Sequence, residues 1–183
     1  MAQDWNEHLP PGLEWPEKFE PGKIAGVVVK DLEWHLAPDG GLLEIFKEHI
    51  SYCSPFAFEG MVQANLSFTL PGTIKAFHAH EKQDDAWFLA NGQIQVVLAD
   101  LRKNFAIPGE LTWGIIQSVI MSGVKPQVLV IPKGVVHGFK VMGSQNAELI
   151  YFVSRLYNST DPDEGRIAWN HPKIAFDWSP KFE

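Results

Sequence analysis

The chain has 183 residues, enough for one domain with a sizeable core, and its 45% hydrophobic and 20% charged content is that of an ordinary globular protein. With 15 Lys and Arg against 22 Asp and Glu, the net charge is −7. That balance argues against a nucleic-acid or anionic-membrane partner and leaves a small molecule as the expected ligand class, bound through a local basic pocket if it is phosphorylated. Cys53 is the single cysteine, so no internal disulfide can form. The N-terminal residues lack the basic and apolar regions of a signal peptide, and no later run is long and apolar enough to span a bilayer. The expected setting is cytoplasmic.

Residues 1–23, rich in Pro, Glu and Trp and without periodicity, read as an extended arm anchored by Trp5 and Trp15, whose large apolar areas gain by burial. In an oligomer such an arm can pack on a neighbour. From Ile24 to the C-terminus the chain reads as a single domain of short β-runs punctuated by Gly, Pro, Asn and Asp. In order these are IAGVVVKDLEWHL, LLEIF after the turn PDGG, MVQANLSFTL, TIKAFHA, AWFLA, QIQVVLADL, TWGIIQSVIM, QVLVIP, HGFKVM and AELIYFVSRLY. Asn91-Gly92 reads as a tight hairpin turn. KEHISYC is the one short helical candidate, and the acidic DPDEGR segment reads as a turn. Short runs with closely spaced turns predict an all-β fold, an antiparallel sandwich or barrel.

Chemistry concentrates in PGTIKAFHAHEKQDDAWFLANG and in IPKGVVHGF. Alternate residues of a strand share a face, so Ile74, Ala76, His78 and His80 are expected on one side of their strand, and Asp85, Trp87 and Leu89 on one side of the next. His78, His80, Asp85 and His137 could then converge inside a small barrel. Three imidazoles and a carboxylate suit one divalent transition metal (Mn, Fe, Ni, Co or Zn) with open positions for substrate. The competing reading is that each histidine is a hydrogen-bonded core residue. No organic cofactor is called for.

The spacing Gly72, five residues, His78-x-His80, four residues, Asp85, six residues, Gly92 resembles the first motif of the cupin superfamily, with Asp where Glu is usual. Pro132-x-Gly134-x-x-His137 resembles the core of the second motif, without its terminal Asn. Within the superfamily, Ile24 to Trp178 resembles the dTDP-4-dehydrorhamnose 3,5-epimerase (RmlC-type) family. The matching pieces are VQANLS, PGTIKAFHAH, LADLR, IPKGVVHGF, AELIYFVSRLY and RIAWNHPKIAFDW. The resemblance implies a double-stranded β-helix (jelly-roll) barrel and a homodimer. It also implies proton abstraction alpha to the keto group of a nucleotide-linked 4-keto-6-deoxy sugar. His78 falls at the position of the family's base, Tyr151 at that of its acid, Gln63 and Asn65 at substrate positions, and Lys75 at a phosphate-binding arginine.

Four departures alter that picture. Asp85 replaces a lysine that stabilises the enolate, and His171, in WNHP, replaces the aspartate that partners the catalytic histidine. Gly40 replaces an arginine, and His80 replaces a glutamine. The changes to His80 and Asp85 weaken the metal-free mechanism while completing a metal-ligand set. If His78 is itself a ligand it cannot be the free base, and Tyr151 or His171 would have to serve. The expected function is an epimerase or isomerase on a nucleotide-linked keto-deoxy sugar, metal-assisted or not. The alternatives are a metal-dependent cupin enzyme acting on a small keto acid or polyol, and a non-catalytic cupin that binds sugar or metal.

Overall fold

The structure, a computed structural model, describes residues 2–46, 60–103 and 111–180. Cys53 and the helical candidate KEHISYC lie outside them. Among the described residues the regular structure is all β: β1 (Gln3–Asp4), β2 (Glu20–Pro21), β3 (Val28–Asp31), β4 (Trp34–Ala37), β5 (Gly40–Leu43), β6 (Gln63–Thr69), β7 (Ile74–Ala79), β8 (Asp85–Asn91), β9 (Gln93–Asp100), β10 (Ile115–Ser122), β11 (Gln127–Ile131), β12 (Val135–Val141), β13 (Ala147–Val153) and β14 (Gly165–Arg166). No helix among them is long and apolar enough to cross a membrane.

The strands form a jelly-roll sandwich. One sheet runs β1-β14-β7-β12-β9-β10-β2, the facing sheet runs β3-β11-β8-β13-β6, and β4 and β5 make a separate hairpin. Alternation along each strand sorts side chains into an inner and two outer layers. The inner layer joins Leu89, Ile94, Leu98, Leu129, Phe139 and Leu149 between the sheets. Each such side chain is 4% exposed or less and contributes roughly 1.5–3 kcal/mol by leaving water. A second layer on the outside of the seven-stranded sheet contains Phe77, Ala79, Val97 and Val136, covered by Trp5 and Leu13 from the N-terminal segment and by Ile174 and Trp178 from the C-terminal one. A third layer, around Phe88, Val128 and Val130, backs the five-stranded sheet. The N-terminal segment thus packs on its own chain, with Trp5 2% exposed and β1 pairing in parallel with β14.

Two local expectations are corrected. Asn91-Gly92 does not close a hairpin: β8 pairs with β11 and β13, whereas β9 pairs with β10 and β12. The turn instead carries the chain from one sheet to the other. Gly92 makes this possible, with φ of 84° and the Asn146 carbonyl oxygen 2.4 Å from where a Cβ would stand.

Strict alternation also fails in β7. His137 pairs with His78, but Phe139 pairs with Lys75, so three steps on β7 match two on β12. This bulge reverses the parity of the strand. Ile74 and Ala76 pack with Phe77 and Ala79 against the outer layer, and Lys75 joins His78 on the cavity wall. Gly138 lies at the bulge, where a Cβ would come 2.3 Å from that of Ala76.

Gly165 ties the N-terminal segment to β7. A Cβ there would stand 2.0 Å from the Trp5 ring, and Gly165 pairs with Ala79 while Arg166 pairs with His78. Gly165→Ala is expected to lower stability by about 1–3 kcal/mol through overpacking. The same change should open the N-terminal residues to protease. An unchanged melting temperature and cleavage pattern would contradict this docking.

Candidate active site

At one end of the sandwich the inner layer turns from apolar to polar. From the five-stranded sheet, β6 sends Gln63, Asn65 and Ser67 inward, β8 sends Asp85, and β13 sends Tyr151. From the seven-stranded sheet, β7 supplies Lys75 and His78, β12 supplies His137, and His80 follows directly after β7. These residues border an open cavity of about 1180 Å³. Lys75 Nζ donates to Ser67 Oγ at 2.9 Å, and Gln63 Nε2 donates to Asn65 Oδ1 at 2.9 Å. Arg155 and Lys82 add positive charge at the rim of an otherwise acidic chain.

The three histidines are held differently. His137 is 3% exposed and its Nδ1 donates to the Val135 carbonyl at 3.0 Å, which leaves Nε2 with a lone pair. Burial outweighs the attraction of Asp85 and lowers the pKa of His137 to about 4, so the ring is neutral at pH 7. His80 Nδ1 donates in the same way to the Asp163 carbonyl, directing its own Nε2 away from the backbone. His78 faces a carboxylate instead: its Nδ1 lies 3.4 Å from Glu164 Oε1.

Asp85 closes the group. Its Oδ1 accepts from Gln83 Nε2 at 2.8 Å and its Oδ2 from Trp87 Nε1 at 3.2 Å. His137 Nε2 is 3.8 Å from Asp85 Oδ2, beyond hydrogen-bond reach. His80, Asp85 and His137 bring one ligand atom each to within 4.8 Å of one another. His78 stands beside this set, its ring centroid 5.8 Å from that of His137.

The sequence-predicted residues therefore divide. His78, His80, Asp85, His137, Tyr151, Gln63, Asn65 and Lys75 all border the cavity. His171 does not join them. Its Nε2 donates to the Asn6 carbonyl at 3.0 Å and its ring stacks on Trp15 at 4.5 Å.

Glu164 is the residue that sequence reasoning missed, hidden in a segment read as an acidic turn. It is held well below the usual carboxylate range, at about 2, first by the hydrogen bond with His78 and then by Arg166, whose Nε donates to it at 2.8 Å. Tyr151 is pushed the other way, upward, by burial and then by the negative charges of Asp85 and Glu164. It keeps its proton at neutral pH. Arg102 does not border the cavity and is structural: it forms a two-point pair with Asp100 at 2.8 and 2.7 Å.

Comparison with known proteins agrees with this architecture. A family model described as dTDP-4-dehydrorhamnose 3,5-epimerase matches residues 21–183. The chain is 41% identical over 159 residues to the spore coat polysaccharide biosynthesis protein SpsL of Bacillus subtilis, covering 87% of this chain and 99% of that protein. It is 31% identical over 160 residues to a probable low-salt glycan biosynthesis epimerase of Haloferax volcanii, covering 85% and 95%. Among solved structures, a dTDP sugar isomerase from Desulfovibrio desulfuricans superposes with a TM-score of 0.71 at 24% identity, covering 85% of this chain and 92% of that one. The structural likeness bears on fold alone, whereas the family match spans nearly the whole chain. The protein belongs to the dTDP-4-dehydrorhamnose 3,5-epimerase family.

Proposed function

We propose that this protein epimerises a nucleotide-linked 4-keto-6-deoxy sugar, with His78 as base and Tyr151 as acid, and that a divalent metal held by His80, Asp85 and His137 assists. One observation carries the reading: His78 on β7 and Tyr151 on β13 belong to opposite sheets and border the same polar cavity. A sugar ring bound between them presents one face to the imidazole and the other to the phenol.

The chain's own groups account for the proton movements. His78 Nε2 takes the proton from the carbon alpha to the keto group, and the electron pair moves onto the keto oxygen. The Tyr151 hydroxyl returns a proton to the same carbon from the other side, which inverts it. Exchange with solvent resets both groups. A structure of a Legionella pneumophila relative contains dTDP-4-keto-L-rhamnose, and one from Bacillus anthracis contains TDP. Lys75 and Arg155 supply the positive charge that the diphosphate of such a ligand needs, and Gln63 and Asn65 offer hydrogen bonds to the sugar.

The enolate is the difficult point, because Asp85 stands where a lysine would otherwise stabilise it. Two like charges at 4 Å repel by about 4 kcal/mol at an effective dielectric of 20. The donor set answers this. His80 and His137 each commit Nδ1 to a backbone carbonyl, leaving both Nε2 atoms free, and both Asp85 oxygens are oriented by donors. Two such imidazoles and one carboxylate are a fitting half-shell for Mn, Fe, Co, Ni or Zn. A metal there would neutralise Asp85 and polarise the keto oxygen. His78 stays outside this set and keeps its role as base.

Homodimer formation belongs to the same reading. The edge strand β6 exposes Leu66 and Phe68, at 67% and 57%, on a face that lacks cover within the described chain. Replacing both with Glu is expected to shift the light-scattering mass from two chains to one; a monomeric wild type would reject this part.

Solvent deuterium wash-in at the carbons alpha to the keto group tests the chemistry. His78→Ala should slow it by about 10²–10⁴-fold, the usual range for a general base. Tyr151→Phe should block inversion while leaving exchange measurable, and His171→Ala should cost stability but little rate. A wild type without exchange on any nucleotide-linked 4-keto sugar would sink the reading. Chelation and His80→Ala should each remove bound metal and slow exchange together. Full activity in metal-free protein would eliminate the metal while sparing the base and acid.

A further inference from the structure

Asp163 and Glu164, two consecutive residues of the DPDEGR segment, touch both histidines that follow the bulge of β7. Asp163 is itself pinned, because its carboxylate accepts the backbone N–H groups of Glu81 and Lys82, at 2.9 Å each. Its carbonyl oxygen then faces His80 Nδ1. Glu164 follows at the start of the β14 pairing, where Arg166 lies opposite His78, and its Oε1 faces His78 Nδ1 at 3.4 Å. The Glu164 side chain is 22% exposed and its other close partner is Arg166.

From this geometry we infer that Glu164 is the positioning residue for His78, filling the place of the aspartate that WNHP lacks. The inference rests on the assignment of His78 as base. A base that uses Nε2 must carry its resting proton on Nδ1, and an acceptor fixed at Nδ1 selects that tautomer. A carboxylate acceptor does more than a carbonyl. When His78 Nε2 takes the substrate proton the ring becomes an imidazolium, and the anion beside Nδ1 stabilises that charge without accepting the proton itself. The 3.4 Å contact is longer than the roughly 2.7–2.9 Å of a charge-assisted bond, so it has room to tighten as charge develops.

The same clamp separates the two histidines by role. His80 is oriented by a neutral carbonyl, whereas His78 faces a carboxylate. Two imidazoles two residues apart, one on β7 and one directly after it, are thereby held by different acceptors.

Nitrogen-15 NMR of the wild-type imidazoles, together with kinetics of Glu164→Gln, Glu164→Ala and Glu164→Asp, tests this. In the wild type His78 is expected as the Nδ1–H tautomer, and in Glu164→Ala as a mixture. Glu164→Gln keeps an acceptor but loses the charge, so kcat should fall about tenfold or more with KM within about twofold. Glu164→Asp should recover part of the loss, and metal content and melting temperature should hardly change in Glu164→Gln. An Nε2–H tautomer in the wild type, or wild-type kcat in Glu164→Gln, would overturn the inference. A wild type that lacks exchange but keeps the Nδ1–H tautomer would instead fault the assigned reaction and leave the positioning intact.

Discussion

Everything at the site depends on how β7 is held. It lies between β12 on one side and β14 on the other, so His78 has His137 as its partner across one ladder and Arg166, next to Glu164, across the other. The bulge against β12 supplies the odd residue that brings Lys75 round to the cavity side, where strict alternation would have buried it in the outer layer. Gly138 permits the close approach that the bulge requires. Lys75 and His78 are thereby placed on one wall of the cavity by a single irregularity in hydrogen bonding.

The second constraint is charge. The cavity contains Asp85 buried at 4% exposure and Glu164 partly buried, in a chain of the dTDP-4-dehydrorhamnose 3,5-epimerase family. Neither carboxylate is idle. Glu164 is bonded to His78 and Arg166, and Asp85 is bonded to Gln83 and Trp87 and faces the lone pair of His137 across 3.8 Å. An acceptor facing an acceptor in a dry place is unfavourable unless a proton or a cation comes between them. With the His137 ring neutral at pH 7, that physical tension motivates the metal, and the separate pairing of His78 with Glu164 motivates its exclusion from the ligand set.

Much of this was legible in the sequence. The short β-runs set off by Gly, Pro, Asn and Asp located β6 to β13 closely, because those residues punctuate strands, and the His-x-His spacing with Asp85 and His137 marked the polar end of the barrel. Parity failed at Ile74 and Ala76 because a bulge leaves no trace in hydrophobic pattern. Asn91-Gly92 has the composition of a hairpin turn, yet composition cannot say which sheet the following strand joins. His171 aligned with a functional position but found Trp15 and Asn6 nearer at hand. Glu164 was hidden for a different reason: its partner lies 86 residues away in sequence, and only the β14–β7 pairing brings them together.

The central claim is a division of labour, with His80, Asp85 and His137 for the cation and His78 for the proton. A crystal of the protein soaked in Zn²⁺ and measured for anomalous scattering tests it most directly. The account predicts one peak at about 2.0–2.2 Å from the Nε2 atoms of His80 and His137 and from an Asp85 oxygen, with His78 beyond bonding distance and still against Glu164. A peak that includes His78 as a ligand, or no peak among these residues, would contradict it.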